Sequence, residues 1–466
     1  MTVRHVPRLV VAGTASGVGK TLCAAGLIGA LRRRGLVVQP FKCGPDYIDP
    51  GWHGVAAGRP CRNLDIWMLG EAGMREAFVR GCEKADVAVV EGVMGLFDGA
   101  RFDSSAHSTA DIAARLGAPV ALVIDIAAAG RSAAATALGF ARFDRATPVA
   151  AVALNRAGSE GHARGCAEAI AEVAGLPTLG WLPQSSELVL PERHLGLPLA
   201  AETVRRDSVL SAAANMVAEH FNLDALLGLA SSAAPLSAPD RHGPVTAPID
   251  GPVLAIARDA AFSFYYEDDL DLLAEEGVRL VPFSPVAGER LPAGASGVYL
   301  GGGYPELFAR ELAANRALWR DIAALHERGA PILAECGGFM ALTEALVDAS
   351  GVRHTMAGLV PGVARMTPRL ASLGYREATA CSDSPLAHEG ETLRGHEFHF
   401  SVWEIAAPPS PAWRVEGPYM PEPAWMGHAD RGLVASYLHV PLAQRPELAR
   451  RLATALRAAC GARRRP

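Results

Sequence analysis

The segment Arg8-Leu-Val-Val-Ala-Gly-Thr-Ala-Ser-Gly-Val-Gly-Lys-Thr21 restricts the fold more than any other stretch of the chain. An apolar run of strand length passes into a glycine-rich loop, and Leu22 to Arg34 then has helical spacing. Strand, glycine loop and helix, in that order, let backbone N–H groups curl around a phosphate at a helix N-terminus. Thr14 stands where the usual pattern has its first glycine, and Gly13 comes one residue early. Gly17 and Gly19 keep the loop free to bend, Lys20 is placed for the β- and γ-phosphates, and the Thr21 hydroxyl is a ligand for Mg²⁺. ATP and Mg²⁺ are therefore the expected cofactors. The bland alternative is a glycine-rich turn that holds no ligand.

Further apolar runs follow at Val87–Val90, Pro119–Ile124 and Val149–Leu154, separated by Ala-rich helical segments. Such alternation predicts a parallel sheet covered on both faces. Residues 231–248 are rich in Pro, Ala and Ser and lack periodicity, as a linker does, and Val253–Ala257 opens a second α/β region. The expected division is 6–230, a linker at 231–250, and 251–460. A length of 466 residues suits two or three domains, and half the residues are hydrophobic against 20% charged, as in a globular protein.

Net charge of −5 leaves no electrostatic footprint for nucleic acid. The most apolar stretch, Ala118–Ala141, is broken by Asp125, Gly130 and Arg131, so no membrane span or leader peptide is expected. Eight cysteines without a CxxC pair fit a reducing cytoplasm. Only three of the 44 basic residues are lysine, and two of them, Lys20 and Lys42, fall in motifs.

Mg²⁺ takes oxygen ligands, usually one or two carboxylates beside phosphates. Glu91 closes an apolar strand, at the end where open α/β sheets bind ligands. Asp46 and Asp49 lie in Phe41-Lys-Cys-Gly-Pro-Asp-Tyr-Ile-Asp-Pro50, and Asp98 lies in Glu91-Gly-Val-Met-Gly-Leu-Phe-Asp-Gly99. A lone acidic loop residue is ordinarily solvated. Four at the sheet edge that carries Lys20 read as a magnesium and substrate site. Asn155, after the fourth strand, is a candidate for the adenine.

Three hundred residues on, Cys336 follows the apolar run Ala330–Ala334 and precedes Gly337-Gly338. A strand-to-helix turn of this kind is expected to expose the sulfur and lower its pKa, as a thiolate nucleophile needs. The loop Gly301-Gly-Gly-Tyr-Pro-Glu306 supplies backbone N–H groups for an oxyanion, so Gly302, Gly303 and Gly337 are the candidate donors. A base is needed too. Of 14 histidines, His439 ends an apolar strand and is the choice, with His396 and His399 as rivals.

Together these blocks resemble the a,c-diamide synthases of corrin biosynthesis, which act on cobyrinic or hydrogenobyrinic acid. The resemblance covers nearly the whole chain, with Lys42–Pro50 and Val90–Gly99 as its most specific blocks. It implies a P-loop parallel-sheet domain similar to dethiobiotin synthetase, joined to a class I glutaminase-like α/β domain. It further implies that ATP phosphorylates the c- and then the a-acetate and that ammonia from glutamine displaces phosphate. On this resemblance Cys336 attacks glutamine and His439 activates it. Thr21, Asp46 and Glu91 serve Mg²⁺, and Tyr47, Asp49 and Asp98 handle the tetrapyrrole and its intermediates.

Arg59, Arg62 and Arg101 lie near those blocks, and arginine suits carboxylates. Ordinary triad glutaminases have a glutamate two residues after the histidine; here that position is Pro441, which leaves Glu335 and Glu404 as candidates to orient the ring. The implied partners are small molecules, namely the tetrapyrrole acid, glutamine and ATP, with a homodimer left open. Cobyric acid synthase and the synthase acting on nickel sirohydrochlorin are alternatives within the chemistry. Partitioning ATPases, binding switches from another class, carry a second lysine early in the loop, where this chain has Ala15 and Ser16.

Overall fold

Leu9 to Ala12 are all fully buried, so the strand that feeds the glycine loop is covered on both faces, as its unbroken apolar run requires. In the computed structural model, which describes residues 2–144, 146, 147, 149–188, 205–238, 250–418 and 420–463, this strand is Arg8–Gly13 (β1). The chain divides into two units, residues 1–241 and 242–466.

In the first unit β1 joins Val38–Cys43 (β2), Arg62–Leu64 (β3), Val87–Glu91 (β4), Val120–Asp125 (β5), Val149–Ala157 (β6) and Thr178–Pro183 (β7). Their order is β3-β2-β4-β1-β5-β6-β7, and every pairing is parallel. The carboxyl ends of β2, β4 and β1 thus lie side by side. From them issue the Asp46–Asp49 loop, the Glu91–Gly99 loop and the phosphate loop, which is how residues far apart in sequence reach one site. The helix Lys20–Arg33 (α1) follows the loop, and its Gly26 and Gly29 let the helix Arg206–His220 come close. A Cβ at Gly26 would stand 3.0 Å from the Ala213 carbonyl oxygen, and one at Gly29 would stand 3.0 Å from Ala214 Cβ.

The span expected as a linker is described only at its ends. Leu236–Ala238 pairs antiparallel with Thr2–Arg4 in the first unit, and residues 239–249 lie outside the described residues.

The second unit is built on Val253–Ala257 (β8), Arg279–Phe283 (β9), Ala295–Leu300 (β10), Ile332–Glu335 (β11), His428–Asp430 (β12) and Leu433–Ser436 (β13). Their order is β9-β8-β10-β11-β13-β12, parallel except for the β12–β13 edge pair. Two four-stranded sheets from residues 343–426 complete this unit. Strands such as Ser372–Ala380 and Thr392–His399 mix polar and apolar positions and do not show as buried runs.

Candidate active sites

Left-handed backbone at Gly17 (φ 77°) and Gly19 (φ 92°) shapes the phosphate loop, and no side chain caps the start of α1. Half-buried Thr14 and exposed Gly17 border it. Lys20 is buried and its Nζ donates to the Ala15 carbonyl at 2.9 Å, across the loop it serves. Burial and the nearby Lys42 hold its ammonium below the ordinary value, against the pull of Glu91, Asp49 and Asp98. Asn155 is buried and its Nδ2 donates to the Val18 carbonyl at 2.8 Å, so the amide braces the loop itself.

Lys42 is 2% exposed and is the hub of the acidic residues. Its Nζ lies 2.7 Å from Asp49 Oδ2, 3.1 Å from Glu91 Oε1 and 3.9 Å from Asp46 Oδ2, and it donates to the Gly92 carbonyl at 3.0 Å. Thr21 Oγ1 donates to the same Glu91 Oε1 at 2.9 Å. Burial alone would raise the Glu91 pKa, yet Lys42 and His53 outweigh it and hold the carboxylate down at about 2. Asp49 goes the other way: burial, with Asp46 and Glu91 close by, lifts it to about 7 against the pull of Lys42.

Asp46 Oδ1 accepts from the Ile48 and Asp49 amides at 2.8 and 3.1 Å and so fixes the turn into the helix Asp49–Ala57 (α2). Tyr47 is half-buried in that turn. Asp98 Oδ2 closes its own loop on the Gly95 amide at 2.8 Å, and the Leu96 amide ties that loop to Gly13 O at 2.9 Å. The arginines are engaged elsewhere: Arg59 Nη2 donates to the Gly81 carbonyl at 3.0 Å, and Arg101 pairs with Asp103 at 2.7 Å. Arg62 is half-buried.

In the second unit Cys336 occupies the turn between β11 and the helix Gly337–Leu342 (α3), with φ 48° and ψ −101°. A left-handed backbone at a non-glycine residue is strained, and such strain gathers at functional sites. The two glycines after it are forced by close approach. A Cβ at Gly337 would stand 3.0 Å from the Gly303 nitrogen, and one at Gly338 would collide with the Leu300 carbonyl. The thiol differs from expectation on both counts: Cys336 is 6% exposed, and burial pushes its pKa up to about 12. Glu306 adds to the rise, and the Gly337 amide opposes it only in part. Desolvation outweighs the short helix start.

His439 is 2% exposed. Its backbone exchanges hydrogen bonds with His396 at 2.9 and 3.1 Å, and the two rings stack with centroids 4.9 Å apart. Gly302 lies against the ring, where a Cβ would come 2.5 Å from His439 Cε1. Glu335 Oε2 lies 3.7 Å from His439 Nδ1 and accepts the Tyr299 hydroxyl at 2.6 Å, while Oε1 accepts the Val440 amide at 2.9 Å. Glu404 pairs instead with Arg365 at 2.6 Å, half exposed. His399 stacks on Tyr437 with centroids 3.8 Å apart and bonds Glu397 at 3.1 Å.

Comparison with known proteins fits these two constellations. Residues 9–197 match the CobQ/CobB/MinD/ParA nucleotide binding domain, and residues 253–447 match the CobB/CobQ-like glutamine amidotransferase domain. The cobyrinate a,c-diamide synthase of Dehalococcoides mccartyi is 42% identical, over 96% of this chain and 97% of its own. That of Salmonella typhimurium is 44% identical over the same shares, and the hydrogenobyrinate a,c-diamide synthase of Streptomyces coelicolor is 42% identical over 96% of each. The chain belongs to the a,c-diamide synthase family. As an a,c-diamide synthase family member it joins a nucleotide-binding domain and a glutamine amidotransferase domain in one chain.

The donor set of the first unit is hard oxygen, the kind Mg²⁺ takes. Glu91 Oε1 receives both the Thr21 hydroxyl and the Lys42 ammonium, and Asp46 Oδ2 lies 3.9 Å from that ammonium, so hard oxygens gather beside the phosphate loop. Among the described residues no three His, Cys, Asp or Glu side chains form a metal-holding group. That is normal for Mg²⁺, which shares its shell with phosphates and water.

Sequence reasoning missed His53, whose Nε2 hydrogen-bonds Glu91 Oε2 from α2. Its spacing of four from Asp49 on that helix was the available signal. Asn63 was missed too; its Nδ2 staples the acidic loop through the Gly44 and Asp46 carbonyls at 2.9 and 2.6 Å, and no sequence pattern marks it.

Proposed function

We propose that the chain amidates the a- and c-acetate carboxylates of cobyrinic or hydrogenobyrinic acid, taking ammonia from glutamine and energy from ATP. The observation that carries this reading is the near full-length match to relatives named for that reaction. Both domains it requires are matched in the chain.

Cys336 Sγ attacks the glutamine carboxamide carbon and its proton passes to His439, which returns it to the departing ammonia. Water then cleaves the thioester to glutamate. Backbone amides of Gly302, Gly303 and Gly337 are the donors for the oxyanion. Glu335 holds the His439 ring, taking the place of the glutamate that Pro441 displaces. In the nucleotide unit the amides of Gly17 and Gly19, with Thr14 beside them, cradle the phosphates, and Lys20 meets their outer charge. Asn155 keeps the loop in shape through Val18 and is the residue assigned to the adenine.

The acetate oxygen attacks the γ-phosphorus, ADP departs, and ammonia displaces phosphate from the acyl phosphate. Bound Mg²⁺ would neutralise charge on the phosphates, held by Thr21, Asp46 and Glu91. Tyr47, Asp49 and Asp98 border the acetate. Eight free cysteines fit a reducing cytoplasm, and among the described residues no helix is long and apolar enough to cross a membrane.

Incubation of the purified protein with Mg-ATP, glutamine and each acid in turn tests this. Mass spectrometry should show two acid-to-amide exchanges on at least one acid. Intact glutamine hydrolysis with neither acid amidated would refute the substrate assignment.

A further inference from the structure

Glu91 is engaged on both oxygens. Oε1 receives the Thr21 hydroxyl and lies 3.1 Å from Lys42 Nζ, while Oε2 is bonded by His53 Nε2. A carboxylate oxygen accepts, so Nε2 is the donor to Glu91 and the other ring nitrogen faces elsewhere. That nitrogen, Nδ1, is buried without a hydrogen-bond partner, in a residue with no exposed surface. An orphaned polar atom in a core is costly, and a packing role would be served better by an apolar side chain.

We propose that His53 is a positioning residue for Glu91: it fixes the plane of the carboxylate so that Oε1 faces Thr21 and the phosphate loop. Lys42 cannot do this alone, because its ammonium is shared among Asp49, Asp46, Glu91 and the Gly92 carbonyl. The Thr21 hydroxyl would turn to the cation once nucleotide is bound, which leaves the shared Lys42 and His53 as the contacts on Glu91. Asp49 sits one turn earlier on α2, so this helix sets the acetate-side carboxylate and the metal-side carboxylate together. The inference rests on the proposed assignment of Glu91 and Thr21 to Mg²⁺.

The test is Mn²⁺ binding, followed by electron paramagnetic resonance, to the full chain loaded with a non-hydrolysable ATP analogue. His53→Leu and His53→Asn should weaken Mn²⁺ by about 10- to 100-fold, the usual effect of removing a group that orients a ligand. His53→Gln, whose amide nitrogen reaches the position of Nε2, should restore most of the affinity. Analogue affinity in chelator and glutamine hydrolysis should stay at the wild-type level. If His53→Leu fails to fold, the Gln–Asn contrast decides alone. Equal Mn²⁺ affinity in Gln and Asn variants, or no Mn²⁺ binding by the wild type, overturns the proposal. Failure of wild-type amidation on both acids would instead remove the substrate assignment and leave the Mn²⁺ comparison standing.

Discussion

Lys42 in the nucleotide unit is buried with three carboxylates on its ammonium, whereas Cys336 in the glutaminase unit is buried beside Glu306 and Glu335. Both side chains have lost most of their water, yet their neighbours drive them apart. The ammonium is held well above its ordinary pKa and drags Glu91 down to about 2, while the thiol rises to about 12. A phosphoryl-transfer site needs its charges fixed before substrate arrives. On the proposed assignment, a nucleophile kept as a thiol is instead spared from oxidation and alkylation until glutamine binds and His439 takes its proton.

The sharpest separation of the two sites is Cys336→Ser. Glutamine-driven amidation should fall by on the order of 10³-fold or more, and ammonium salts should restore it, because the nucleotide unit is untouched. Product formation with each nitrogen source reads this directly; persistent glutamine use would break the assignment.

Lys42→Met attacks the other site. It leaves buried carboxylates unpaired and should cost about 3–5 kcal/mol in denaturant unfolding of the first unit, with glutamine hydrolysis retained. Glu91 has a depressed pKa, so its contribution is complete above the unfolded value of about 4.3 and is lost as pH falls toward about 2. The gap between variant and wild type should therefore narrow over that window. A gap independent of pH would show that Lys42 acts by packing.

The thiol contrast is checked by alkylation of Cys336 without glutamine. With its pKa pushed to about 12, the rate should rise about tenfold per pH unit from roughly pH 7 to 10. A plateau near neutrality would mean a preformed thiolate and would erase the contrast. The smallest expected effects separate two glutamates. Glu335→Gln should lower glutamine turnover by roughly 10-fold through the His439 ring. Glu404→Gln, which breaks only a half-exposed pair with Arg365, should change stability by less than about 1 kcal/mol and leave turnover unchanged.

In the first unit the four strands that read as apolar runs were legible because they are buried on both faces, with Val87–Glu91 ending at Glu91 as expected and Arg8–Gly13 running one residue past the expected run; Val38–Cys43, which carries Gln39, Pro40 and Lys42, did not read as a run. The two four-stranded sheets of residues 343–426 were not, since half-buried strands such as Ser372–Ala380 mix polar and apolar residues without a clean signal. At the sites, Cys336 and Lys20 announce themselves through glycines that geometry demands. Asn63 acts through partners brought near only by the fold, and local sequence carries no mark of that, while Glu335 could be named only as one of two candidates and His53 was marked only by its spacing from Asp49. The thiol pKa failed for a related reason. A turn motif predicts backbone direction, whereas the charge state depends on how much water the surrounding core removes.

Lysine scarcity gains a practical meaning from the burial of Lys20 and Lys42. The third lysine, Lys84, is exposed in the turn after the helix Ile66–Gly81. Apart from the amino terminus, an amine-reactive dye therefore finds a single open address on the native chain. Unfolding of the first unit would show itself as a second and third label, so this protein reports on the integrity of its own phosphate site without an engineered handle.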